Sequence, residues 1–174
     1  MDDSMLWVIP PALMWGAILS WFDCKERRLP NWLTISGAAV ALAWRLGYGG
    51  WALAADGLVS AAAAGLFLLL PFLLHGAGGG DVKMLFAAGA IVGLSRLLAM
   101  LMVTSLAGVV LGVVMLATGR LDGARMKHGI RCLFDWRYDR KAGAAQLPPK
   151  ESERVRIPFS IPIAAGMVVS LLIP

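Results

Sequence analysis

The sequence predicts an all-α, polytopic membrane protein with about six transmembrane helices, on three observations. Of 174 residues, 59% are hydrophobic and only 16% charged, with a mean hydropathy of +0.72, more apolar surface than a soluble domain of this length can hide. The apolar runs approach bilayer length: Met5–Phe22 as a helix reaches roughly 27 Å, against a hydrocarbon core of about 30 Å. These runs are continuous, whereas barrel strands alternate, so helices are the way to satisfy the backbone in lipid.

Apolar segments fall at 5–22, 31–49, 56–74, 82–95, 97–118 and 158–173. The first begins MDDSMLW, with two acids and no base. That is the wrong start for a cleaved signal peptide, and the segment is read as a retained span. Gly93-Leu94-Ser95-Arg96 breaks the stretch from Met84 to Thr118, which is too long for one span. The fourth segment is short, suited to a re-entrant or strongly tilted piece. Small residues recur in SAAAAGL at 60–66 and AAGAIVG at 87–93, a composition that permits close helix approach.

Basic residues set the direction. Lys25, Arg27 and Arg28 separate spans one and two, Lys83 begins span four, and ten more lie between Arg120 and Arg156. The other side holds only Arg45 and Arg96, with Asp2, Asp3 and Asp56. The positive-inside rule then places the first side in the cytoplasm and both termini outside. Arg45 is expected to snorkel outward. Trp7, Trp21, Trp32 and Trp51 flank spans one and two, as interfacial aromatics do. The chain is read as one domain, 1–174, with a basic cytoplasmic loop at 120–157. There Met126, Ile130, Leu133 and Phe134, interleaved with Lys127, Arg131 and Arg137, suit a helix lying on anionic lipid or a solvated linker. No nucleic-acid partner is read from these charges. Cys24 and Cys132 form no CxxC pair, so neither a metal site nor a cofactor is expected. Oligomeric state is not encoded in any pattern found.

Two stretches carry chemistry, Asp23-Cys24-Lys25-Glu26-Arg27-Arg28-Leu29-Pro30-Asn31 and HGAGGGDVK at 75–83. Two spans separate Asp23 from Asp81, so both carboxylates return to the same side. Ionisable groups at membrane level are costly and point to function. Two carboxylates sharing a proton can hydrolyse a peptide, one activating water and the other protonating the carbonyl oxygen. The helix ends make Asp81 the base and Asp23 the acid. The glycines would admit an extended substrate and adopt dihedrals closed to other residues.

The first stretch resembles the opening motif of the type IV prepilin peptidases, an aspartate followed by a basic cluster and Pro30-Asn31. Gly78-Gly79-Gly80-Asp81 is similar to their GxGD motif, and Val82-Lys83 and the late Ile157-Pro158-Phe159 also fit. The chain looks most like the small form serving tight-adherence (Flp-type) pili. The resemblance implies a membrane aspartic endopeptidase in the bacterial inner membrane with Asp23 and Asp81 catalytic. It would cut the basic leader of a prepilin or pseudopilin at the cytoplasmic face. Gly78, Gly80, Lys83, Pro30 and Asn31 would support the motifs. Larger members add a four-cysteine zinc insertion and methylate the new amino terminus. Here Phe22 and Asn31 are nearly adjacent and those cysteines are missing, so the resemblance implies proteolysis without methylation.

Blander readings stand beside these. Lys25, Arg27 and Arg28 suit topology anchors, Pro30-Asn31 a helix start, and His75 a structural role. Lys83 either tunes the dyad or reaches the phosphates, the second being favoured. As a whole, a proton-coupled transporter or a non-catalytic pilus-assembly factor would also hold acids in lipid. Both acids on one face and no internal repeat leave such a transporter without a pathway across.

Overall fold

Long apolar runs whose backbone is satisfied only within the segment become helices, and the computed structural model describes residues 7–26, 29–73, 78–118 and 159–173. These residues form α1 (Ile9–Glu26), α2 (Asn31–Leu73), α3 (Gly79–Val92), α4 (Leu94–Ala117) and α5 (Ser160–Leu172), with no strand among them. Two compact units divide the chain, Met1–Gly108 with Pro158–Pro174, and Val109–Ile157. The described part of the second is the last stretch of α4, where Val109, Val110, Val113 and Val114 are exposed. The loop at 120–157, Cys132, His75, Arg27 and Arg28 lie outside the described residues.

The predicted second and third spans form one helical run, α2, with a single break at Gly50 (φ 65°, ψ −160°). A straight helix would set residues eleven apart roughly 16 Å from each other. Arg45 Nη1 nevertheless donates to Asp56 Oδ2 at 2.9 Å, so the chain turns at Gly50 into two arms. The first arm packs on α1, where Trp15 fills the space above Gly37 and its Nε1 donates to the Leu33 carbonyl at 3.0 Å. The second arm runs antiparallel to α3: Gly57 faces Ala90, Ala61 and Ala64 face Gly89, and Gly65 faces Phe86. In the same sense α5 lies against α1, through Gly16 and Ala164, and against α4, through Gly166 with Met100 and Gly108 with Phe159.

Leu19, Met84, Leu85, Met100, Ile163, Met167 and Leu171 are fully buried at the centre. Within lipid such burial gains little transfer energy, so close packing at small residues provides the stabilisation. A Cβ at Gly89 would lie 2.8 Å from Ala64 Cβ and from the Ser60 carbonyl, which is the contact the run of small residues predicts. On α4 the pattern is inverted relative to a soluble helix: Thr104 and Gly108 are buried while Leu98, Met102 and Leu106 are exposed, the polarity of a lipid-facing surface. Trp7, Trp21, Trp32 and Trp51 are all exposed at helix ends.

Among the described residues, two helical stretches are long and apolar enough to cross a membrane, Asn31–Leu69 and Leu94–Ala117. The remaining crossings of the predicted six belong to the proposal below.

Arg45 departs from expectation. Only 3% of it is exposed, because it turns inward rather than snorkelling. Its Nη1 also donates to the Leu53 carbonyl, and Nη2 to the Ile91 carbonyl at 3.2 Å. Asp56 Oδ2 in turn accepts from the Leu94 N–H at 3.2 Å. A buried guanidinium requires such a set of acceptors. The cluster ties the Gly50 turn to the α3–α4 break, which falls at Gly93 (φ 82°).

Candidate active site

Contacts sort the helix ends into two groups. Arg45, Asp56, Ile91 and Leu94 meet at one end, where Arg96 Nε also donates to the Ile173 carbonyl. The residues predicted to carry chemistry collect at the other.

Pro30 and Asn31 open α2: the Pro30 carbonyl accepts from the Leu33 and Thr34 N–H groups at 3.1 and 3.2 Å. The Asn31 side chain is directed elsewhere, its Oδ1 accepting from Lys83 Nζ at 2.9 Å. Lys83 thereby joins the start of α2 to the start of α3. A second contact lies beside it, because a Cβ on Gly80 would sit 3.1 Å from Leu29 Cβ. The glycine turn thus packs directly on the segment that follows Asp23.

Asp81 is half-buried in the first turn of α3. Its Oδ2 accepts from the Gly78 N–H at 3.1 Å, satisfying a helix-start donor that has no partner in the helix. The carboxylate folds so closely over Gly78 that a Cβ there would lie 2.9 Å from Oδ2. Gly78 itself is ordinary extended backbone (φ −84°, ψ 146°), and the positive-φ glycines among the described residues are Gly50 and Gly93. Room for neighbours, not forbidden dihedrals, explains Gly78 and Gly80.

Asp23 is half-buried in the last turn of α1, which continues to Glu26. Its Oδ2 accepts from Ser160 Oγ at 2.6 Å and from the Ser160 N–H at 3.4 Å. Ser160 is the first residue of α5 and is fully buried. Both acids thus meet a helix N-terminus, Asp81 that of its own helix and Asp23 that of α5, while Asp23 also lies in the last turn of α1. Helix α5 packs on both α1 and α3, the helices that carry the two carboxylates. Sequence reasoning missed Ser160, whose only signal was that the sixth segment starts on the same side as Asp23. Lys25 Nζ lies 4.8 Å over the Trp21 ring, as an anchoring cation would, and Cys24 is an exposed free thiol. Among the described residues no group of three or more His, Cys, Asp or Glu could hold a metal ion.

No curated protein and no solved structure matches this chain. A sequence model described as the type IV leader peptidase family matches residues 12–113. The match covers more than half of the chain and takes in Asp23, Pro30, Asn31, Gly78, Gly80, Asp81 and Lys83. On that match the chain belongs to the type IV leader peptidase family.

Proposed function

We propose that this chain is a membrane-embedded aspartic endopeptidase that removes the basic leader of type IV, Flp-like prepilins or pseudopilins at the cytoplasmic face of the bacterial inner membrane. Family membership makes it a peptidase, a hydrolase. The dyad, the substrate, six crossings with both termini outside, and proteolysis without methylation are our reading.

The observation that carries the proposal is the pairing of the two motif segments: Leu29 on Gly80 and Asn31 on Lys83. Each contact takes one partner from just after Asp23 and one from the turn around Asp81. The two carboxylates are thereby held at the same end of the helices. A water between them supplies the nucleophile. One carboxylate takes a proton from the water as its oxygen bonds to the scissile carbonyl carbon, and the protonated partner gives its proton to the carbonyl oxygen. Collapse of the tetrahedral species breaks the C–N bond: the proton taken from water passes to the departing amine, and a hydroxyl of the diol returns its proton to the carboxylate that had given one up. The dyad ends the cycle with one proton, as it began. The exposed apolar flank of α4 and the tryptophans at helix ends support a chain held in lipid.

The test is cleavage of a candidate prepilin by the purified full-length protein in detergent. The wild type is expected to release the leader, and Asp23→Asn or Asp81→Asn each to lower the rate roughly a thousandfold. Wild-type cleavage by either variant would overturn the dyad.

A further inference from the structure

We infer that Ser160 is a positioning residue for Asp23, fixing which oxygen of that carboxylate takes part in proton transfer. The inference rests on the dyad reading above and adds a residue beyond the stretch matched to the family, 12–113.

A fully buried hydroxyl is costly unless it is hydrogen-bonded. Ser160 has its Oγ 2.6 Å from Asp23 Oδ2, a length typical of a hydroxyl donating to a charged oxygen. The backbone N–H of Ser160 reaches the same oxygen at 3.4 Å. As the first residue of α5, its N–H is one of the helix-start donors without an intrahelical acceptor. An N–H can only donate, so Oδ2 acts as an acceptor in that bond, and the hydroxyl donates to it as well. With both Ser160 donors directed at Oδ2, Oδ1 is the oxygen left to carry the proton of Asp23.

Two donors from one residue on one oxygen also restrict rotation of the carboxylate, and with it the direction Oδ1 faces. The donors themselves are well held. Phe159, immediately before Ser160, packs over Gly108, where a Cβ would come within 2.9 Å of its ring. The Phe159 carbonyl accepts from the Ile163 N–H at 3.2 Å, closing the first turn of α5, and Pro162 and Ile163 are buried. The start of α5 is therefore a rigid mount, and Ser160 is its contact with the proposed chemistry.

The experiment compares Ser160→Ala, Ser160→Thr and Ser160→Cys with the wild type, using the full-length protein in detergent and a candidate prepilin. Ser160→Ala, nearly isosteric, is expected to lower kcat roughly tenfold to a hundredfold. KM should stay within about twofold and the melting temperature should be unchanged. Ser160→Thr keeps the hydroxyl and should recover most of the rate. Ser160→Cys, a weaker donor of similar size, should fall between and gives a second measure if the added methyl of threonine unfolds the protein. Wild-type kcat in Ser160→Ala would overturn the inference. So would equal losses in the Ala and Cys variants that track their melting temperatures, which would make Ser160 merely structural. If Asp23→Asn and Asp81→Asn are inactive while Ser160→Ala is unimpaired, this inference alone falls. If Asp23→Asn cleaves normally, the dyad falls instead.

Discussion

A methyl group added at Gly78 would lie 2.9 Å from Asp81 Oδ2. The obstacle is the tip of a side chain, which can swing aside at little cost in stability, but that tip is the proposed catalytic carboxylate. Gly78→Ala is therefore expected to lower cleavage at least roughly tenfold, with little change in melting temperature, because a small misplacement of a reacting group costs far more in rate than in folding. Gly80→Ala presses on Leu29 from 3.1 Å and should cost less. At Gly79 the added carbon meets the Phe72 ring at an ordinary 3.4 Å. Gly79→Ala should cleave normally and gain about 0.5 kcal/mol from reduced freedom of the unfolded chain. Cleavage rates and thermal unfolding of the three variants, measured side by side, check this order. Asp23, Asp81 and the glycines could be picked out by residue type and spacing. Their physical explanation could not, because what crowds a glycine is decided by neighbours such as Leu29, some fifty positions away. Ser160 was harder still, lying 137 residues from Asp23 with no motif to mark it.

Two single-residue breaks organise the helices. Gly50 (φ 65°, ψ −160°) and Gly93 (φ 82°, ψ 170°) occupy a backbone region nearly reserved for glycine, where another residue costs of order 1–3 kcal/mol. Gly50 has open space around its missing Cβ, whereas a Cβ at Gly93 would meet Arg45 Nη2 and lie 2.8 Å from Asp56 Oδ2. Both alanine variants should lower the melting temperature in detergent, and Gly93→Ala should do so more. Equal effects would mean that backbone strain alone is at work and that the Arg45 cluster can yield. Continuous apolar runs located the described helices to within a few residues, and Gly93 was recognisable as a break. Arg45 was misread because 50–55 was assigned to a connection, which separated it from Asp56. With only one residue out of helical geometry, the two side chains face each other across the turn.

For the whole molecule, the parity of crossings read from the sequence depends on the number of segments and not on their packing. It makes a labelling prediction. With Cys132→Ser as background, exposed Cys24 should react with a membrane-impermeant maleimide from one side only. With Cys24 also replaced, Lys83→Cys should react from that same side and Ser95→Cys from the opposite one. Reaction of positions 24 and 83 from opposite sides would remove the shared site. The Arg45 end also has a practical consequence. Turns one residue long leave no slack to accept foreign sequence, so an epitope tag or cleavage site inserted at Gly50 or Gly93 would have to pull Asp56 from the guanidinium it neutralises. Reporters at these turns must therefore be point substitutions such as single thiols, and a protease added from that side would find almost no extended peptide at Gly50 or Gly93 to cut.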